Sequence, residues 1–533
     1  MHFYALIAVL ISLQHFNPSL SLGFDNKVSS GVALGHDDAS GAAVRCIERE
    51  REALLAFKQG LVDEYNQLTS WGSPDCCTWE GVFCSNQTKG DHVIKLDLLV
   101  YDLQDKTISP KLIELQHLKY LSLYGIDFNG SQIPDFIGSL SNLRYLDLSD
   151  ASFGGRIPSQ LGNLSHFLQL NLAYNHFATN VVQNLNSWLP RLSSLTHLDL
   201  SYNNLNNTYD WLETINKLPK LRDFSLRDCS LHSPPMPSTL FTTNSSIYLA
   251  HGDFSLDRLT SSIFVWLSTY STSLVYLDLI GNNLTGPIPG VIGNLTSLSY
   301  LDLSFNQIEG WNPHSFASNN LYGQLPDFLT YLDNMVMLDL SYNALSGKIP
   351  ATIGSLFRME TLKLRSNRFV GELPSSLKNC TGLRVIDLGN NTLSGPIPKW
   401  LGVSFQDLVI LMLSSNQFNG SMPSQLCRLS RIQILDFSMN NISGGIPKCF
   451  NNLTTLAQKG NPNMKITHYY EAPEISDEYE DDAAFIWKGS MQVYRNTLGL
   501  MKRIDFSSNR LIGEIPKEIS HLVGLVSLNL SRN

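Results

Sequence analysis

Leucines alternate with polar residues in short bursts along most of the chain, and the bursts return at a fixed interval. "LVYLDLIGNNLTGPIPGVIGNLTS" (274–297) is followed at Leu298 by "LSYLDLSFNQIEG", a period of 24 residues. The pattern LxxLxLxxNxLxGxIPxxIGxLxx carries its asparagine at Asn175, Asn203, Asn282, Asn306, Asn343, Asn367, Asn391, Asn416, Asn440, Asn509 and Asn533. Each LxL burst predicts a short strand with its leucines inward and the intervening residues outward. The asparagine must turn the chain while buried, its amide satisfying backbone groups that would otherwise cost about 1–3 kcal/mol each. Cys229 fills that slot in "FSLRDCSL", and Ile126 and Ala151 fill it in the early repeats. Cys229 therefore reads as a buried wedge and not as a nucleophile.

One such coil cannot bury its own leucines, so neighbours must stack, and each buried leucine contributes roughly 1.5–3 kcal/mol. The period is that of the leucine-rich repeat. The expected fold is an α/β solenoid, a superhelix with a parallel sheet on its concave face, which suits recognition of macromolecules better than catalysis. Repeats occupy 93–456 and 498–533, and the rhythm breaks in three places. Around 240–266 no clean LxLxxN survives. Near 306–330, Asn306 and Asn319 stand 13 residues apart where 24 are expected, which predicts an 11-residue loss and poor local packing. Asn509 follows Asn440 by 69 positions, one repeat plus 45, and the interval includes the acidic "HYYEAPEISDEYEDDAAFIWKG". Its carboxylates read as solvated or partner-facing charge.

The N-terminus has an apolar run from Phe3 to Leu13, the length of a signal-peptide core and too short to span a bilayer; residues 1–23 are expected to be removed. No later segment offers about 18 uninterrupted apolar residues, so no membrane span is expected in this chain. Glycosylation sequons stand at Asn86, Asn129, Asn163, Asn206, Asn244, Asn283, Asn294, Asn379, Asn390, Asn419, Asn441 and Asn452, and a further one at Asn529. Residues 24–92 are expected to cap the open end of the first coil, with "CIEREREALLAFKQGL" as an amphipathic helix. Cys46, Cys76, Cys77 and Cys84 allow three pairings. Adjacent Cys76–Cys77 is geometrically disfavoured, and of the remaining two we prefer Cys46–Cys76 with Cys77–Cys84, the longer bridge being worth about 3–4 kcal/mol. Zinc is disfavoured at these thiols because no histidine accompanies them at ligand spacing. Cys427 and Cys449, nearly one repeat apart, are placed to bridge neighbouring coils, whereas Cys380 has no evident partner.

Composition adds little: 43% hydrophobic, 16% charged, net charge −9. A mildly acidic chain without basic clusters is a poor nucleic-acid binder. Neither a phosphate loop, a nucleophile elbow, an HExxH site nor a kinase signature is present, so no catalytic residue, metal or cofactor is expected. A column of aspartates (Asp147, Asp199, Asp278, Asp302, Asp339, Asp387, Asp436, Asp505) recurs on the concave side. Because it repeats in nearly every coil, it reads as part of the repeat's own hydrogen bonding. Coil-specific outward residues, Lys363, Arg365 and Met412, are better candidates for ligand discrimination.

The cap sequence "CIEREREALLAFKQGLVDEYNQLTSWGSPDCCTWEGVFC", followed by coils with a "GxIP" turn (Gly286 to Pro289, Gly347 to Pro350, Gly395 to Pro398), resembles plant leucine-rich-repeat receptor-like proteins, particularly the group that includes receptors for fungal ethylene-inducing xylanase. The resemblance implies a cell-surface glycoprotein that senses microbial or endogenous protein, peptide or glycan ligands and signals through partner receptor kinases. It also implies that 457–497 is the family's island domain, in which Tyr479, Lys488 and Gly489 match a Tyr-x8-Lys-Gly motif associated with ligand or co-receptor contact. Family members continue through further coils, an acidic segment, one membrane helix and a short tail. This sequence stops at Asn533, so it reads as a truncated member, its localisation the plasma membrane or the extracellular space. The alternative function is that of a soluble inhibitor of pathogen cell-wall-degrading enzymes.

Overall fold

Three residues of extended backbone per coil are enough to build the main sheet, because each LxL burst finds a similar neighbour, most often 24 or 25 residues away. The computed structural model describes residues 45–533 apart from 86–90, 99–102, 178–184, 207, 209, 234–247, 309–324, 461–464, 473–474, 488–489 and 495–497. Its main sheet has 17 strands. Val82–Cys84 pairs antiparallel with Val93–Asp97, and every later strand joins in parallel, as Thr361–Lys363 does with Val385–Asp387. The inward leucines, Leu362 and Leu364 among them, are fully buried. A second parallel sheet of six short strands forms on the flank from Ser346–Gly347 to Arg510–Leu511. There the GxIP glycines take left-handed backbone, φ 75° at Gly347 and 84° at Gly395, which glycine adopts without a Cβ penalty.

The asparagine wedge works as expected. Asn416 Nδ2 donates to the carbonyls of Leu388, Leu413 and Ser414 (2.9, 3.1 and 3.2 Å), while its Oδ1 accepts the Leu393 N–H (2.9 Å). The residue before each wedge pays for the turn in backbone strain, with φ 54° at Tyr342 and 55° at Ser415. Cys229 occupies its slot fully buried, its thiol against the Leu200 carbonyl at 3.3 Å. Burial pushes that thiol well above its ordinary range. Ile126 and Ala151 are likewise buried.

Two of the three irregularities leave the main sheet continuous. In the degraded stretch, His251–Asp253 pairs in parallel with strands on both sides, so the stretch contributes a strand to the main sheet. Its wedge is Asp257, whose Oδ1 accepts the N–H groups of Cys229 and Leu231 (3.0 and 2.8 Å). In the shortened stretch, Tyr300–Asp302 pairs directly with Met337–Asp339. Successive strands of the main sheet thus stand 37 residues apart here, from Tyr300 to Met337, with no strand of that sheet between them among the described residues. Ile308, Leu325 and Leu329 are buried on either side of the join, so the expected loss of packing does not appear among the described residues; 309–324 lie outside them.

The cap helix, Glu48–Lys58, buries Ala53, Leu54 and Phe57. Cys46–Cys76 and Cys77–Cys84 are bonded, with Cα atoms 5.4 and 5.5 Å apart, and Cys427–Cys449 links neighbouring coils at 5.7 Å. Cys229 and Cys380 are free and buried. The expected leader, 1–23, lies outside the described residues, and none of the described helices is long and apolar enough to cross a membrane.

Candidate functional site: a concave groove beneath the insertion

The stretch between Asn440 and Asn509 forms two antiparallel hairpins, Thr467–Ala472 with Ile475–Glu480 and Ala483–Trp487 with Ser490–Tyr494. The solenoid continues without it. Ile434 pairs with Arg503 in the main sheet, Ser443 with Arg510 in the flank sheet, and Asn509 Nδ2 donates across the gap to the Phe437 carbonyl at 2.8 Å. The insertion is thus looped out between two stacked coils and lies back over the concave face.

An apolar patch holds it there. Ile466, Ala483 and Phe485 pack with Val385, Val409, Ile410, Met412 and Ile434, outward residues of three consecutive coils. Phe485 stacks on Tyr494 (4.6 Å) and lies beneath the Arg503 guanidinium (5.0 Å). These outward apolar positions, in "RVIDL", "VILML" and "IQILDF", were a readable signal of a covered surface that reading by repeat consensus passes over.

A buried polar cluster fixes the orientation. The fully buried His468 ring lies between Glu360 (Nδ1 to Oε2, 2.6 Å) and Asp481 (Nε2 to Oδ2, 2.8 Å). Asp481 also pairs with Lys363 at 2.8 Å and accepts from the Thr361 hydroxyl at 2.5 Å, while Lys363 reaches Asp482 at 2.8 Å. Arg384 donates to the Thr467 carbonyl at 2.6 Å. Burial opposes the charge on Asp481, but Lys363 and His468 outweigh it and hold the carboxyl well below its usual range. Burial likewise works against charge on Lys363 and His468; Asp481 with Asp482 raises the ammonium, and hydrogen bonds to Asp481 and Glu360 raise the imidazole. Tyr479 stacks on His468 (4.7 Å) and meets Tyr300 edge-on (5.1 Å).

The reading of the insertion's carboxylates as solvated is therefore corrected for Asp481, which is buried and paired. Lys363, Arg365 and Met412 also differ from free outward side chains. Lys363 is engaged by the insertion, Arg365 is paired with Asp387 at 2.6 Å, and Met412 is buried. All three nevertheless line, with Tyr479, one cavity of about 110 Å³ between sheet and insertion. Lys488 and Gly489 lie outside the described residues.

The sheet side of this cavity carries Asp278, Asp302 and Asp339. In all eight coils of the aspartate column, Oδ1 accepts the backbone N–H two residues on, at 2.8–3.0 Å. The column therefore serves the repeat first. Burial, reinforced by neighbouring carboxylates, pushes Asp278 and Asp302 up to about 7 and Asp339 well above the carboxylate range. Burial thus favours the protonated form of these acids, in which they can donate hydrogen bonds into the groove. Among the described residues, no convergent metal-ligating group lies in it. Of the sequons, Asn129, Asn163, Asn283, Asn294, Asn379, Asn390, Asn419, Asn441 and Asn452 are exposed and Asn206 is half-buried. Asn86 and Asn244 lie outside the described residues.

Comparison with known proteins fits this architecture. The family profile "Leucine rich repeat N-terminal domain" matches residues 47–85, and "Leucine Rich Repeat" matches stretches from 142–164 to 501–522. Receptor-like protein EIX1 of Solanum lycopersicum is 38% identical over 289 residues, 50% of this chain and 27% of that protein. Receptor-like protein EIX2 of the same species is 35% identical over 314 residues, 51% of this chain and 30% of that protein. The matched region is thus less than a third of either relative. Among solved structures, the Arabidopsis receptor kinase HAESA, in complex with the peptide hormone IDA and the co-receptor SERK1, superposes with a TM-score of 0.55 at 26% identity, covering 91% of this chain and 82% of that one. The PEPR1–AtPEP1 structure shares the fold, with a TM-score of 0.51 at 23% identity over 91% of this chain and 72% of that one. The chain carries a leucine-rich-repeat N-terminal domain and leucine-rich repeats, and over about half its length it is similar to receptor-like proteins of plants.

Proposed function

We propose that this chain is the non-catalytic ligand-recognition region of a plant cell-surface receptor, sensing a microbial or endogenous protein, peptide or glycan in defence and signalling through partner receptor kinases. The observation that carries the reading is the insertion lying over the concave face and enclosing a groove lined from both sides. Residues 457–497 act as the island domain. Tyr479 forms one wall of the groove, and Lys488 and Gly489 contribute the contact to ligand or co-receptor. Lys363, Arg365 and Met412 act from the sheet side, Lys363 by seating the insertion. A cleaved leader at 1–23 and glycans on the exposed sequons belong to the same reading, which places the repeats outside the cell.

The test is functional. Plant cells expressing the full-length gene product are challenged with fractionated microbial culture filtrates, and early defence output is recorded as a dose–response. Losing an aromatic anchor at the centre of an interface should shift the response of Tyr479→Ala by about tenfold or more, at unchanged secretion. An identical dose–response for Tyr479→Ala combined with Lys488→Ala sinks the groove assignment. Absence of any filtrate response above untransformed cells sinks the receptor reading itself.

A further inference from the structure

On the cap, three side chains from separate elements converge. Glu50 comes from the first turn of the cap helix, His92 directly precedes the strand Val93–Asp97, and His117 stands on the turn before Tyr120–Ser122. One ligand atom from each lies within 4.8 Å of the others. We propose that Glu50, His92 and His117 form a binding site for a late first-row divalent cation, with Zn2+ the ion to which the site is best suited.

The donor chemistry points to that class. Two imidazoles and one carboxylate are borderline ligands, suited to Zn2+, Cu2+ or Ni2+ and poorly suited to Mg2+ or Ca2+, which prefer all-oxygen shells. The carboxylate is already oriented. Glu50 is buried, its side chain only 4% exposed, and its Oε2 accepts the Val93 N–H at 2.7 Å. Oε1 is thereby left for a single bond and now faces His92 Nδ1 at 2.8 Å. An ion bound there replaces the proton shared by these two atoms and releases it to solvent. The third ligand is the adjustable one. His117 stacks on His92 with ring centroids 3.6 Å apart and planes 22° apart, so the two imidazoles lie face to face. His117 is exposed and can turn about its side-chain bonds without disturbing the core. The exposed side leaves further positions open to water, as in zinc sites with three protein ligands.

The supports are rigid. The helix carrying Glu50 follows Cys46, which is bonded to Cys76, and the Cys77–Cys84 bridge closes the same cap. The other convergent group there, Cys46, Cys76 and Cys77, has its sulfurs consumed by those bridges and offers no thiolate. A cation at Glu50, His92 and His117 ties the cap helix to the first two strands of the repeat array. No sequence motif announces it, because the ligands are 42 and 25 residues apart.

The experiment uses the full chain, secreted, free of any histidine tag and stripped with EDTA, titrated with ZnCl2 by calorimetry with thermal melting in parallel. One equivalent of Zn2+ is expected to bind and to raise the Tm, because only the folded cap assembles the ligands. His117→Ala removes an exposed side chain and should fold normally while weakening the binding by about tenfold or more. Glu50→Gln keeps an acceptor for the Val93 N–H and should do the same. Absence of saturable binding up to millimolar Zn2+, or equal affinity in wild type and His117→Ala, overturns the assignment.

Discussion

Asp257 shows what a single atom exchange costs in this fold. It stands where other coils place asparagine and reproduces the acceptor half of that residue's work, taking two backbone N–H groups. Lacking the amide, it has no Nδ2 to give to the carbonyls that Asn282 and Asn306 satisfy in the neighbouring coils. Its Oδ2 is buried without a partner, and burial pushes its carboxyl well above the usual range. A carboxyl raised on folding stabilises fully below its unfolded value of 3.8 and loses that contribution as pH rises through the folded value. Asp257→Asn is therefore expected to stabilise the protein by about 1–2 kcal/mol near neutrality, with the gain shrinking in acid. Denaturant melts at two pH values measure this, and a loss of stability at neutral pH contradicts it. The cluster beneath the insertion titrates in both directions. His468, raised on folding, stabilises below its unfolded value of 6.5 and ceases to as pH rises through its folded value. Asp481, depressed, stabilises above 3.8 and fails only as pH falls through its folded value. The insertion should dock most tightly between those two unfolded values and loosen above neutrality. Amide exchange in Thr467–Glu480 should quicken on going from about pH 5.5 to pH 8 beyond the intrinsic rate change, and His468→Gln should flatten that difference. Equal pH dependence in both proteins removes His468 from the role.

Regular elements were legible because their physics is local. A strand of three, a wedge and a GxIP turn each need only a few residues of fixed type, and 24-residue spacing announces them. The convex side hides a stricter demand inside the same consensus. A Cβ on Gly354 would stand 2.3 Å from the Ser376 carbonyl oxygen of the next coil, and one on Gly402 would stand 2.0 Å from that of Gln425. The glycine of "IGxL" is thus a contact between backbones. Gly354→Ala should separate two coils at a cost of about 2–4 kcal/mol, read as a lower denaturation midpoint with the concave strands still formed. An unchanged midpoint would mean that the convex helices slide freely. The insertion was legible only in outline. Its acidic composition gave its position, but burial of Asp481 depends on Lys363, His468 and Thr361, which lie 118, 13 and 120 residues away in the chain. Charge that looks solvated in a sequence becomes structural when a distant lysine meets it. The same distance concealed the convergence of Glu50, His92 and His117.

At the scale of the molecule, the repeat array absorbs its irregularities without breaking its sheet. A strand with Gly252 in place of an inward leucine, the 37-residue spacing from Tyr300 to Met337, and the insertion before Asn509 all leave adjacent strands paired in parallel. Solenoid stability is a sum over neighbouring coils, so local departures are tolerated wherever the next interface is intact. The insertion alters that nearest-neighbour arithmetic. It leaves the array beside Arg503 and touches the sheet as far back as Tyr300, seven adjacent strands in all, an arc of roughly 30 Å at the usual strand spacing. An unbraced superhelix bends like a spring, each joint giving a little. Here a strut spans the inside of the curve, so this arc should keep its radius while the coils before Tyr300 flex, and the molecule divides mechanically into a compliant arm and a stiff jaw.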